Sequence, residues 1–186
     1  MKNKKLFFLL FAALTSLSCG IFIGGPDYTP QAPVSTSDAQ AVQTQMAEAL
    51  LAGAESGVVT VKVTESQLTA LVAEKIAGKE NPLFTDPQVL LRDNQMQMYG
   101  KITRGYFTAN MLIAATVSID PASGAPKIEI TSADFGPFPA PEGLNAAINA
   151  VVAEAFTGSF GPVAVGFRLE SIEIADGVMT MTGRIK

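Results

Sequence analysis

The stretch Tyr106-Phe107-Thr108-Ala109-Asn110-Met111-Leu112-Ile113-Ala114-Ala115-Thr116-Val117-Ser118-Ile119 decides the fold class. Its odd positions are apolar throughout (Phe107, Ala109, Met111, Ile113, Ala115, Val117, Ile119), while the even ones include Thr108, Asn110, Thr116 and Ser118. A period of two with one apolar side is a β-strand resting one face on a core. At about 3.3 Å per residue it would run roughly 46 Å, far beyond a strand of ordinary length.

Working outward, the same period holds on both sides. Val89 and Leu91, then Met96 and Met98, alternate about Asp93-Asn94, a two-residue hairpin signal. After the turn Pro121 to Pro126, Lys127 to Asp134 returns as a strand through Ile128 and Ile130. Val163, Val165, Phe167 and Leu169 alternate again, and the phase then moves to Ile172 and Ile174, which predicts a bulge near Glu170-Ser171. Asp176-Gly177 predicts a closing hairpin into Val178, Met179, Met181 and Ile185.

Helical signals surround these strands. Ser37 and Gln40, ahead of Val42, Met46, Ala49 and Leu50, predict a helix over 38–54 ending near Gly57, followed by a strand from Val58 to Val63. Thr64 as N-cap, Gln67 at N3 and Val63 opposite Leu68 predict a capped helix that stops at Gly78. From Pro141, suited to the first helical position, Leu144, Ala147, Ile148, Val151, Val152, Ala155 and Phe156 share one face. Asn145, Asn149 and Glu154 lie on the outer one. The expected fold is α+β: a strongly curved antiparallel sheet with long amphipathic helices on one face. Residues 38–186 form one domain, with a leading helix and a core over 58–186.

The start of the chain carries a different message. Lys2, Lys4 and Lys5 precede an apolar run from Leu6 to Leu17 and then Ser16-Leu17-Ser18-Cys19-Gly20, a charged region, a hydrophobic region and a processing site. This resembles a bacterial lipoprotein signal over residues 1–18. The resemblance makes Cys19 the modified N-terminus, with diacylglycerol on its thiol and a further acyl chain such as palmitate on its amine. An uncleaved membrane helix, extended by Ile21, Phe22 and Ile23, and ordinary secretion are the alternatives; each delivers the body outside the cytoplasm. Residues 19–37 read as lipidated N-terminus and flexible tether, because Gly24 to Ser37 is rich in Pro, Ser and Thr.

Composition narrows the function classes. The 186 residues are 48% apolar and 16% charged, enough to bury a core. Beyond the leader the body carries ten basic and 17 acidic residues, a net of −7 that suits no nucleic acid. Histidine is absent and cysteine occurs once, which excludes Cys/His zinc sites, His-based triads and internal disulfides. Neither Glu170 with Glu173 nor Glu129 with Asp134 makes a defensible acid/base pair, and Asp86, Asp93, Asp120 and Asp176 sit at turns without calcium-loop spacing. Gly158-Ser159-Phe160-Gly161 is no nucleophile elbow. We expect no catalytic residue, no metal and no cofactor.

The run Val61-Lys62-Val63-Thr64-Glu65-Ser66-Gln67-Leu68, the hairpin Leu91-Arg92-Asp93-Asn94-Gln95-Met96, the segment Ser132 to Pro141 and the ending Ile172 to Gly183 together resemble the LmeA-like and YpmS-like bacterial envelope proteins. That resemblance, spanning Val58 to Lys186, implies a relation to tubular lipid-binding domains, in which a long helix packs into a curved sheet around an apolar cavity. It brings no catalytic residue. The cavity candidates it suggests are Met96, Met98, Phe107, Met111, Ile113, Leu144, Ile148, Val152, Phe156, Phe167, Leu169, Met179 and Met181. Methionine suits a wall that must adapt to different chains. The expectation is thus a membrane-anchored lipoprotein at the extracytoplasmic face, binding a phospholipid, fatty-acyl or other apolar ligand. The alternative is a tethered scaffold or partner-binding module with a closed core, for which Phe135 and Phe138 on the Pro-rich loop would be the contact.

Overall fold

In the computed structural model, which describes residues 20–29, 36–80, 82, 84–120, 124–146, 148, 149 and 167–185, strand outweighs helix by about 49% to 27%. The long strand β5, Phe107–Ile119, stands at the centre of a strongly curled half-barrel sheet. It pairs antiparallel with β4, Gln95–Arg104, and β4 pairs with β3, Thr85–Arg92. On the other edge of β5, Leu112 to Ile119 pair with β6, Pro126–Asp134. A second sheet has the order β2, β8, β7, from Val58–Thr64, Val178–Ile185 and Phe167–Ala175.

The alternation read from sequence becomes register here. Met96 faces Ala115, Met98 faces Ile113, Gly100 faces Met111 and Ile102 faces Ala109, all buried on one side of the sheet. The second sheet contributes Val59, Val61, Val63, Met179, Met181, Phe167 and Leu169 to the same core. Asp93 and Asn94 both adopt positive φ, as do Asp176 and Gly177, so both predicted hairpins close with the turn geometry that matches strand twist. The β7–β8 ladder shifts between Leu169 and Ser171, at the place of the expected bulge.

Helix α1, Thr36–Ser56, begins before Ser37, so Ser37 lies inside its first turn rather than capping it. It packs on β2 through Gly53, where an added Cβ would come within 2.2 Å of Val59 Cγ2. Helix α2, Glu65–Ala77, has the predicted capping box: the Thr64 hydroxyl accepts from Gln67 N, and Gln67 Oε1 accepts from Thr64 N at 2.9 Å. Gly78 ends it in a right-handed conformation rather than the left-handed one its glycine would allow.

Helices cover both edges of the curled sheet. The buried Thr69 hydroxyl of α2 accepts from Val89 N at 2.9 Å and donates to Val89 O at 3.5 Å, and Glu65 Oε1 accepts from Leu91 N at 2.7 Å. At the opposite edge Asn149 accepts from Ile128 N at 2.9 Å and donates to Ile128 O at 2.6 Å. These are the backbone groups that β3 and β6 present to no strand. The sequence reading, which put Asn149 on a water-facing side of its helix, is corrected: residues 144–146 and 148–149 are helical, and the Asn149 amide clamps a strand edge.

The tether reading also changes. Over residues 20–29 the chain lies on the sheet. β1, Ile21–Phe22, pairs parallel with Phe107–Thr108, Gly24 O accepts from Asn110 N at 2.9 Å, and Asn110 Nδ2 donates to Pro26 O at 3.0 Å. Tyr28 then stacks on Tyr99 with ring centroids 5.6 Å apart, and its hydroxyl donates to Asp86 O at 3.1 Å. The cause lies in β6, which stops pairing at Leu112 and leaves the next stretch of β5's edge open for another segment. Only a glycine fits at position 25, where φ is +113° and a Cβ would sit 2.3 Å from Asn110 O.

Candidate functional site

The interior candidates fall into three groups. Met96, Met98, Met111, Ile113, Leu144, Phe167, Leu169, Met179 and Met181 are all buried in one continuous core, with Phe167 and Met111 each 1% exposed. Ile148 is half-buried against that core. Phe107 departs from expectation: it is 45% exposed, because it is the first residue after the Gly105-Tyr106 turn and lies at the very end of the sheet. Val152 and Phe156, like the signal segment 1–18 and Cys19, lie outside the described residues.

Side chains interdigitate closely at two glycines of the core. Phe167 covers Gly183 so closely that a Cβ there would meet its ring at 2.6 Å, and a Cβ on Gly100 would meet Phe84 at 2.8 Å. Every buried side-chain nitrogen or oxygen among the described residues has a hydrogen-bond partner. Two concavities lined by described residues are open grooves on the surface.

The larger groove, about 470 Å³, runs between the start of α2, the outer edge of β3 and the β7–β8 turn. Three sequence-local features build it. The Thr64 cap starts the helix there and leaves Thr64 and Ser66 exposed with hydroxyls 3.1 Å apart. Glu65 follows in the first turn, where the helix dipole favours a carboxylate. Its carboxylate meets the Arg92 guanidinium in a two-pronged ion pair, while its amide donates to Gly177 O at 3.2 Å. The Asp176-Gly177 turn thereby tucks beside the Glu65–Arg92 pair, and Gln88 and Leu90 supply the groove's far wall. The lining offers hydroxyl, amide and guanidinium donors together with carboxylate acceptors, the equipment of polar recognition. The smaller concavity, about 410 Å³, is shallow and lies between Gln45, Glu48, Ala49 and Ala52 of α1 and Thr60, Val61 and Lys62 of β2.

Sequence reasoning found the Thr64 cap and the Asp176-Gly177 turn but not their meeting, since no local pattern reports a contact between residues so far apart. It also placed the Pro-rich loop wrongly for docking: Phe135 is buried, and Phe138 is half-buried beneath the Arg104 guanidinium, 5.7 Å from its ring centroid. Glu170 is paired with Arg184 at 3.0 Å on the outer surface. Among the described residues no group of three potential ligands could hold a metal ion, and no helix is long and apolar enough to cross a membrane.

Burial and a charged neighbour both act on Tyr28. Desolvation first, and then the nearby Asp86 carboxylate, push its hydroxyl above the usual 10.0. The hydrogen bond from Lys101 Nζ to Asp86 Oδ2, 2.9 Å long, raises the lysine. Compared with known proteins, the chain matches no family model, no curated protein and no solved structure.

Proposed function

We propose that this chain is an exported module, anchored through Cys19 at the extracytoplasmic face of a bacterial membrane, that binds an envelope partner at its surface. The observation supporting surface binding is the groove beside the Glu65–Arg92 pair, polar in its lining and open to solvent. The groove at Ser66, Gln88 and Arg92 is the contact we assign, with a polar protein segment as its occupant. A photo-crosslinking residue at Ser66 should capture one discrete envelope protein in cells, whereas the same residue at Leu51, 74% exposed on α1, should not. Equal and diffuse labelling from both positions would refute the groove.

A second reading keeps the apolar ligand. It rests on the interior methionines Met96, Met98, Met111, Met179 and Met181 and on Val117, Ile119 and Ile130, which are only half-buried toward the β5–β6 end of the sheet. In a tubular lipid-binding relative, a long amphipathic helix beginning at Pro141 would cover acyl chains there. Native mass spectrometry of the full chain separates the two. A phospholipid mass adduct that disappears in Ile130→Glu supports the lipid carrier, and a bare protein mass supports the closed module.

A further inference from the structure

We propose that the body lies directly on the membrane through an apolar end made of Ile21, Phe22, Tyr106 and Phe107. The proposal rests on the anchorage reading and adds a surface and an orientation to it. Six large hydrophobic residues are notably exposed among the described residues, and these four, at 55, 59, 75 and 45%, gather at one place. Pairing brings them together: Ile21 lies opposite Phe107 in a parallel ladder, and Ile21 N donates to Tyr106 O at the tip of the β4–β5 hairpin. Burial alone gives no reason for phenylalanine, tyrosine and isoleucine at a hairpin tip; aromatic rings with one polar handle favour the zone between lipid headgroup and acyl chain. Arg104, across the turn from Phe107 and exposed, adds a cation suited to anionic headgroups.

Where the chain leads names the occupant. Gly20 sits against Thr108 and Tyr106, its ideal Cβ position 3.4 and 3.7 Å from their atoms. One peptide link, about 3.8 Å between Cα atoms, separates Gly20 from Cys19. Acyl chains on Cys19, or an apolar helix continuing from it, therefore enter the bilayer beside the patch with no spacer between. Residues 20–29, which would have supplied a spacer, are used up in crossing the sheet from Phe107 to Asp86.

The chain has no tryptophan, so Tyr106→Trp makes a single reporter in the full protein. It is purified from membranes in detergent and reconstituted into phosphatidylethanolamine–phosphatidylglycerol vesicles with brominated acyl chains. The expected result is blue-shifted emission and loss of most of its intensity to the bromines, while Leu51→Trp in the same vesicles keeps its intensity. Vesicle-bound Tyr106→Trp protein whose indole is unquenched overturns the patch and leaves the anchor standing. Blue-shifted but unquenched emission also overturns it, since a second protein copy then covers the tip. Failure to float with vesicles overturns both ideas, and a Cys19→Ser chain that still incorporates labelled fatty acid overturns lipid anchorage at Cys19 alone.

Discussion

Replacing Thr69 by valine keeps the shape of the side chain and removes one oxygen, which isolates the clamp on the sheet edge. Thr69 is 5% exposed, and its hydroxyl is the partner of both backbone groups of Val89, itself 1% exposed. In Thr69→Val the Val89 N–H loses a 2.9 Å bond and water has no ready access to replace it. An unpaired buried donor costs about 1–3 kcal/mol, and the longer bond to the carbonyl adds little, so the expected loss is about 2 kcal/mol. With a urea dependence of about 2 kcal/mol per molar, the unfolding midpoint should fall by about 1 M. Thr69→Ser is the control: it keeps the oxygen and loses one methyl, about 1 kcal/mol. The decisive assay is amide exchange at Val89, where the valine variant should lose protection and the serine variant retain it. If Val89 stays equally protected in both, the clamp is packing and not hydrogen bonding.

Other outcomes follow from neighbouring features. Asn149→Leu should cost about 1–2 kcal/mol by releasing Ile128 at the opposite edge. The two clamps lie three strand spacings apart, about 14 Å, and four residues apart along the strands, about 13 Å, so combining it with Thr69→Val should be additive, and strong coupling in a double-mutant cycle would contradict independent edges. Gly183→Ala puts a Cβ 2.2 Å from Arg168 O and 2.6 Å from the Phe167 ring, and should destabilise by about 3 kcal/mol in denaturant unfolding. The raised Tyr28 and Lys101 values mean that the folded state holds both protons more tightly than the unfolded chain does. Tyr28's contribution to seating residues 20–29 is therefore whole below 10.0 and is lost as pH climbs through its higher folded value, while that of the Lys101–Asp86 pair, which joins β4 to β3, is whole below 10.5 and lost in the same direction. Proteolytic cleavage within residues 20–29 should thus rise in alkali, and Tyr28→Phe should flatten that rise. A Tyr28 that titrates at or below 10.0 would refute the seating.

Elements whose signals are local were legible before any coordinates. The Thr64–Gln67 capping box, the Asp93-Asn94 and Asp176-Gly177 hairpins, the bulge beside Glu170 and the alternation of β5 each depend on residues a few places apart. The failures share the opposite character. Asn149 looked solvent-facing because helical periodicity knows nothing of a strand edge lying beside it. Gly24 to Thr29 looked like linker because its composition is that of one, and only the open edge of β5 gives those backbone groups partners. Phe107 fits the apolar stripe by parity and escapes the core by position at the tip.

By itself, then, the sequence determined the α+β class, the curvature implied by an overlong strand and the exclusion of Cys/His zinc sites, His-based triads and internal disulfides, since each follows from residue type and spacing along the chain. Only the tertiary structure decided which faces remain empty. It gathered the methionines and Phe167 of both sheets into one buried core, brought Glu65, Arg92 and Gly177 together into a groove, and laid residues 20–29 along the sheet beside an exposed aromatic tip. Those outcomes depend on which distant backbone groups and apolar surfaces compete for the same partner, and that competition is settled in space.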